Sequence, residues 1–244
     1  MKRLQKWQKP GEGYTASGFS DVGSYFVLIS HNKNMLVLAS ASPRRKELLA
    51  QAGFIFTIAP AAIPEDPMPD ESPIAYVVRL AREKAQAVYA QLSAQNNEDD
   101  PLLVLGADTT VVAPNGEILG KPSDPADTAR MLRLLSGATH QVITGVALAT
   151  QAGVETAAEV THVTVLTLSE EEIAAYIATG EPADKAGAYA IQGSAARWIP
   201  RIHGCFFNVV GLPLALVSSM IEGTISRIEK SARAIPETAA ASSI

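Results

Sequence analysis

The sequence predicts an α/β domain built on a mixed β-sheet. Two observations carry this. Apolar, β-prone runs alternate with helix-like stretches along the chain, and two pairs of those runs read as hairpins. No internal repeat interrupts the pattern. At 244 residues, 47% hydrophobic and 18% charged, the chain can bury one good core, as a single domain or two small lobes, with the composition of an ordinary globular enzyme. A net charge of −5 argues against a broad nucleic-acid-binding surface. No run of apolar residues is long enough to span a membrane. Cys205 is the sole cysteine, which excludes an internal disulfide framework and a cysteine-based zinc site.

The ends differ from the middle. Residues 1–34 carry Lys2, Arg3, Lys6, Lys9 and Lys33 against Glu12 and Asp21, with no continuous apolar core after the basic start. Met35 directly precedes the first strand. The expectation is that Met35 is the natural start and that 1–34 is a disordered extension or a mis-called upstream start. Residues 35–230 form the folded domain, and 231–244, rich in Ala and Ser, a flexible tail.

Leu36 to Ala39 is the first strand. Ser40-Ala-Ser42 turns the chain, Ser42 caps a helix and Pro43 occupies its first position, where a missing N–H is harmless. Gly53 stops it. Arg44 and Arg45 oppose the positive end of the helix dipole. With the free N–H groups and the hydroxyls of Ser40 and Ser42 they make an anion site; a solvated surface pair is the other reading, and spacing alone does not choose. Phe54 to Ile58 reads as a short strand. Five prolines from Pro60 to Pro73 then stiffen a loop carrying Glu65, Asp66, Asp70 and Glu71, either a metal holder or solvated charge.

Ser72-Pro73 opens a helix to about Leu92, with Ile74, Val77, Val78, Ala81, Ala85, Val88 and Leu92 on one side. Lys84 shares that side, so it snorkels out or meets an anion. Asn96 to Asp100 is a polar turn. Leu102 to Gly106 is a buried strand leading into Ala107-Asp108-Thr109-Thr110, with Val111-Val112 continuing. A carboxylate inside such a run is expected to be paired or metal-bound, which makes Asp108 the best catalytic candidate over a turn-closing aspartate.

Asn115-Gly116 marks a hairpin, and Lys121-Pro122 follows the returning strand. Asp124 caps a helix ending near Ser136-Gly137. Gln141 to Ala149 and Glu159 to Leu168 read as strands. Ser169-x-x-Glu172 is a capping box whose helix ends at Gly180. In Asp184 to Gly193, Gln192 offers both a donor and an acceptor to a pyrimidine edge. Trp198 to Ile202 and Phe206 to Val210 read as strands, and Gly211-Leu-Pro213 starts the last helix. His203 and Cys205 read as structural, since neither has a partner at ligand or nucleophile spacing.

Positive groups at Arg44, Arg45, Lys84 and Lys121 suit phosphates; carboxylates at Glu65 and Asp108 suit Mg²⁺ or Mn²⁺ and water activation. Metal-assisted hydrolysis of a phosphoanhydride follows as the hypothesis.

Five motifs now occur in order: Ala39 to Leu49, Arg79-Leu-Ala-Arg-Glu-Lys84, Gly106-Ala-Asp-Thr109, Lys121-Pro122 and Asp184 to Gly193. Together they resemble the Maf family of nucleoside triphosphate pyrophosphatases, from Met35 to about Ser219. The Asp184 to Gly193 stretch resembles the branch acting on dTTP and UTP rather than the 7-methyl-GTP branch. The resemblance implies an elongated mixed sheet with flanking helices and a central cleft, akin to inosine triphosphate pyrophosphatases, in a cytoplasmic enzyme that is often a homodimer. It implies water attack at the α-phosphorus, with a divalent cation as cofactor. By motif, Asp108 is the proton acceptor, Lys84 and Lys121 are catalytic, and Ser40, Ser42 and Arg45 bind substrate. Arg44, Thr109 and Gln192 match specificity positions, and Glu65 with Asp108 matches the metal site. Two alternatives stand beside this: a nucleotide-binding regulator of septum formation, and a 7-methyl-GTP pyrophosphatase.

Overall fold

The computed structural model describes residues 35–94 and 101–233. The expected N-terminal extension, the Asn96 to Asp100 turn and most of the expected tail lie outside the described residues. In chain order the elements are β1 (Met35–Leu38), α1 (Pro43–Gln51), β2 (Thr57–Ile58), α2 (Pro73–Ser93), β3 (Leu102–Val112), β4 (Ile118–Leu119) and α3 (Pro125–Leu135). There follow β5 (Thr139–Thr150), β6 (Gly153–Thr164), α4 (Glu170–Ala178), three 3₁₀ turns, β7 (Arg201–His203), α5 (Phe206–Val210) and α6 (Leu214–Arg233).

The sheet is mixed, as expected. Its order is β2-β1-β3-β5-β6-β7, with β4 paired to the far end of β3. β2, β1 and β3 run parallel; β5, β6 and β7 continue antiparallel. Helix starts follow the caps read from sequence. Ser42, Ser72, Asp124 and Ser169 each accept from a backbone amide of the first turn, and Ser169 with Glu172 closes the capping box.

Two apolar clusters sit along β3 and β5. Val37, Ala39, Ala81, Ala85, Val104 and Ala147 form one, beneath α2. Val111, Leu132, Leu135, Val142, Val163 and Trp198 belong to the other. Asp108 falls on β3 between Val104 and Val111. Glycines let α2 lie unusually close to this stretch: a Cβ on Gly106 would stand 2.1 Å from the Ala81 carbonyl oxygen, and one on Gly145 2.4 Å from that of Val77. Only bare backbone admits such an approach. Among the described residues no helix is long and apolar enough to cross a membrane.

Several expectations are corrected. Phe206 to Val210 is helix α5, not a strand. Its aromatic and Val-rich composition suits a strand, but the buried Asn208 amide donates to Val142 O at 2.9 Å and Thr161 Oγ1 at 3.0 Å, and those tertiary bonds root a helical turn. The second hairpin strand runs Gly153–Thr164 rather than 159–168. Its first half is polar because it is half exposed, and β5 supplies its partner from Thr150↔Gly153 onward. Trp198 closes a 3₁₀ turn instead of opening a strand. Only Thr57–Ile58 of the expected 54–58 strand pairs. Ile74, placed on the apolar side of α2, is 48% exposed at the helix start. Ser231 to Arg233, assigned to the tail, close α6.

Candidate active site

β1 ends at Leu38, and the turn after it delivers Ser40 and Ser42 to the start of α1. Ser42 caps α1 by accepting from the Arg45 amide, while its own N–H donates to Ser40 Oγ at 3.2 Å. Arg45 then bends back across the sheet. Its Nε donates to Gly211 O at 2.9 Å, Nη1 to Ser40 Oγ at 3.2 Å and Nη2 to Thr109 Oγ1 at 3.0 Å. Thr109 meets Thr144 at 2.9 Å, and Thr144 donates to Asn208 O at 3.2 Å. A guanidinium tied at three points is fixed before any ligand arrives. Burial pulls its pKa down from the ordinary arginine value, and the fields of Asp108 and Glu65 work against that pull.

α2 and β3 contribute the central ion cluster. Lys84 and Asp108 are both 8% exposed. Lys84 Nζ donates to Asp108 Oδ1 at 2.7 Å and lies 2.6 Å from Glu65 Oε1. The lysine in the apolar stripe therefore meets anions rather than snorkelling, and the anions are the protein's own. Burial raises the Asp108 carboxyl above its ordinary value, although Lys84 and Arg45 pull it down. Glu65 goes the other way. Partial burial pushes it up, but the hydrogen bond from Lys84 and the charges of Lys84, Lys121 and Arg45 prevail and hold it below the usual carboxylate range.

The remaining predicted residues surround this cluster. Ser40, Ser42, Arg44, Arg45, Glu65, Lys84, Asp108, Thr109, Lys121 and Gln192 all line one cleft of about 840 Å³. Lys121 follows β4, and the carbonyl before it, Gly120 O, accepts from Gly187 N at 3.0 Å. Arg44 lies 3.9 Å from Asp184, which also pairs with Lys185. Gln192 is exposed at the rim. His203 and Cys205 are not among the lining residues.

Tyr76, Lys185, Tyr189 and Gly211 also line the cleft, and sequence reasoning does not single them out. Tyr189 is backed by His140, phenol oxygen to Nε2 at 2.8 Å. Their 49-residue separation hides the pair from any local signal. Burial lowers His140 to about 4 and raises Tyr189. An imidazole with so depressed a pKa is neutral at pH 7 and serves as packing behind the cleft wall.

The tethered Arg45 guanidinium, the buried Lys84–Asp108 pair and the more exposed Glu65 thus share one cleft. The family model for Maf-like proteins matches residues 35–224. The dTTP/UTP pyrophosphatase of Koribacter versatilis (strain Ellin345) is 51% identical over 195 residues, covering 80% of this chain and 97% of that protein. The dTTP/UTP pyrophosphatase of Geobacter sulfurreducens is 52% identical over 187 residues, covering 76% and 94%. A Shigella flexneri protein named nucleoside triphosphate pyrophosphatase is 54% identical over 179 residues, covering 73% and 87%.

Proposed function

The chain belongs to the Maf family, and from that premise we propose that it hydrolyses nucleoside triphosphates, dTTP and UTP foremost, to the nucleoside monophosphate and pyrophosphate. The observation that carries the reading is the buried Lys84–Asp108 pair, with Glu65 on the same ammonium, facing the tethered Arg45 guanidinium across one cleft. A buried ion pair is an expensive way to stabilise a fold. It suits a site that must handle both phosphate charge and a proton.

In this reading Arg45, Lys121 and the serine hydroxyls after β1 hold the phosphates. Asp108 takes the proton of the attacking water, and its raised pKa makes it a better base than a solvated aspartate. Lys84 orients that carboxylate and supplies positive charge where negative charge develops on the phosphoryl oxygens. Arg44, Thr109 and Gln192 select the base.

Asp108 and Glu65, from different elements, converge on one cation, the Lys84 ammonium. Two carboxylate oxygens at one point suit Mg²⁺ or Mn²⁺, which are commonly held by one or two carboxylates together with substrate phosphates. Such an ion, when bound, supplies Lewis-acid charge to the phosphate oxygens.

The test is product analysis with purified protein, Mg²⁺ or Mn²⁺, and a panel of dTTP, UTP, CTP, dCTP and 7-methyl-GTP. The expected products are monophosphate and pyrophosphate, with dTTP and UTP turned over fastest. Absence of pyrophosphate from every nucleotide, or release of orthophosphate, overturns the reading.

A further inference from the structure

Glu65 belongs to a stretch with neither helix nor strand, residues 59–72, and its side chain is 56% exposed. A carboxylate on such a loop is located only as well as its backbone is. Here the backbone is tied to α2 at consecutive residues. Tyr76 Oη donates to Glu65 O at 2.8 Å, and Arg79 Nη2 donates to Asp66 O at 3.0 Å.

Arg79 is itself held by the far end of the same loop. Nε donates to Glu71 Oε1 at 2.7 Å and Nη2 to Glu71 Oε2 at 2.8 Å, a two-pronged pairing that fixes the guanidinium plane. Glu71 Oε2 also accepts from Met68 N at 3.1 Å, and Arg79 Nη1 reaches Glu83 at 3.3 Å. The guanidinium lies 5.7 Å from the Tyr76 ring centroid. Arg79 is 9% exposed and is not among the residues lining the cleft. Its bonds go to the loop and to its own helix. Tyr76 and Arg79 are three apart on α2, so they share a face of that helix and seize neighbouring carbonyls.

We infer that Tyr76 and Arg79 are positioning residues for the Glu65 carboxylate. They hold the loop backbone against α2 so that Glu65 arrives at Lys84 beside Asp108. The inference rests on reading the cleft as a pyrophosphatase site that binds a divalent ion. Mutation of residues that orient metal-binding carboxylates lowers affinity or activity by about 10- to 100-fold.

The experiment is a double-mutant cycle between Glu65→Gln and each of two mild variants, Tyr76→Phe, which removes one hydroxyl, and Arg79→Lys, which keeps charge but loses the fork. Two quantities are read: the dissociation constant for Mn²⁺ alone, from its free-ion EPR signal, and kcat/KM for dTTP. Tyr76→Phe and Arg79→Lys are each expected to weaken Mn²⁺ binding and lower kcat/KM by about tenfold or more, while adding nothing in the Glu65→Gln background. Full additional losses in that background overturn the inference, because the two residues then act on something other than Glu65. So does unchanged Mn²⁺ affinity in both mild variants, or in Glu65→Gln itself. A wild-type protein that binds Mn²⁺ but releases no pyrophosphate overturns the function reading instead, and the Mn²⁺ cycle still decides the inference.

Discussion

Lys84 and Asp108 meet at 2.7 Å with neither more than 8% exposed, one from a helix and one from the central strand it packs on. The contact exists because Gly106 and Gly145 let α2 approach the sheet closely. Lys84 is the main compensation for burying Asp108, and Lys84 is compensated in turn by Asp108 and Glu65 together.

Replacing Asp108 by Asn keeps shape and removes the base. Hydrolysis of dTTP should fall by about 10²–10⁴, with circular dichroism unchanged. Near-native turnover in the Asn variant takes Asp108 out of the mechanism.

Lys84→Met should lose activity and change the pH profile. In the wild type, burial raises the Asp108 pKa while Lys84 pulls it down. The acid limb of kcat/KM should therefore inflect above the ordinary aspartate value of about 3.9. Removing the ammonium pushes the carboxyl higher still, so residual activity should need a more alkaline pH. The sign carries into stability. An acid whose folded pKa is raised favours folding below its unfolded pKa and loses that contribution as pH rises through the folded one. The melting temperature of Lys84→Met should thus fall more steeply with rising pH than that of the wild type. Parallel pH profiles in the two proteins contradict this account.

His140 makes a separate claim on acid stability. Its pKa is lowered to about 4 in the fold, against about 6.5 unfolded. The unfolded chain thus takes up the proton first, and stability is lost as pH falls from about 6.5 to about 4. The loss is on the order of 3 kcal/mol. Urea denaturation of wild type and His140→Gln at pH 7.5, 5.5 and 4.5 reads it directly, and the variant should show a flatter acid limb.

Gln192 stands exposed at the rim of the cleft. A carboxamide can donate to a uracil or thymine carbonyl and accept from N3–H, whereas cytosine leaves one of these bonds unmade, a loss of about 0.5–1.5 kcal/mol. Gln192→Ala should compress the kcat/KM ratio of UTP over CTP while leaving hydrolysis in place. An unchanged ratio assigns selectivity to Arg44 or Thr109.

The features legible in the amino-acid sequence are the local ones. Ser42-Pro43, Ser72-Pro73 and Asp124-Pro125 announce helix starts because the cap and the N1 proline act within one turn. Asp108 stands out because a carboxylate in an apolar strand needs a partner, and Lys84 because a lysine in an apolar stripe needs one too. That each is the other's partner depends on how α2 lies on β3, which no local pattern encodes. The same holds for Arg79 with Asp66, and for His140 with Tyr189. Phe206 to Val210 misleads for the converse reason: four β-prone residues around one asparagine are too few to show a period, and the Asn208 bonds that decide their conformation reach residues 47 and 66 positions away.

β3 runs unbroken from Leu102 to Val112 and is hydrogen-bonded to β5 along nine residue pairs from Val104 to Val112. Asp108 is thus a link in a ladder at the centre of the sheet. Amide hydrogens there can exchange with solvent only when the whole domain opens, while those of residues 59–72 need only a local excursion. The two carboxylates on Lys84 consequently answer to different free energies. A change that loosens the Asp108 backbone lowers the global stability of the protein, whereas one that releases the Tyr76 or Arg79 tethers costs only the local stability of the loop that carries Glu65.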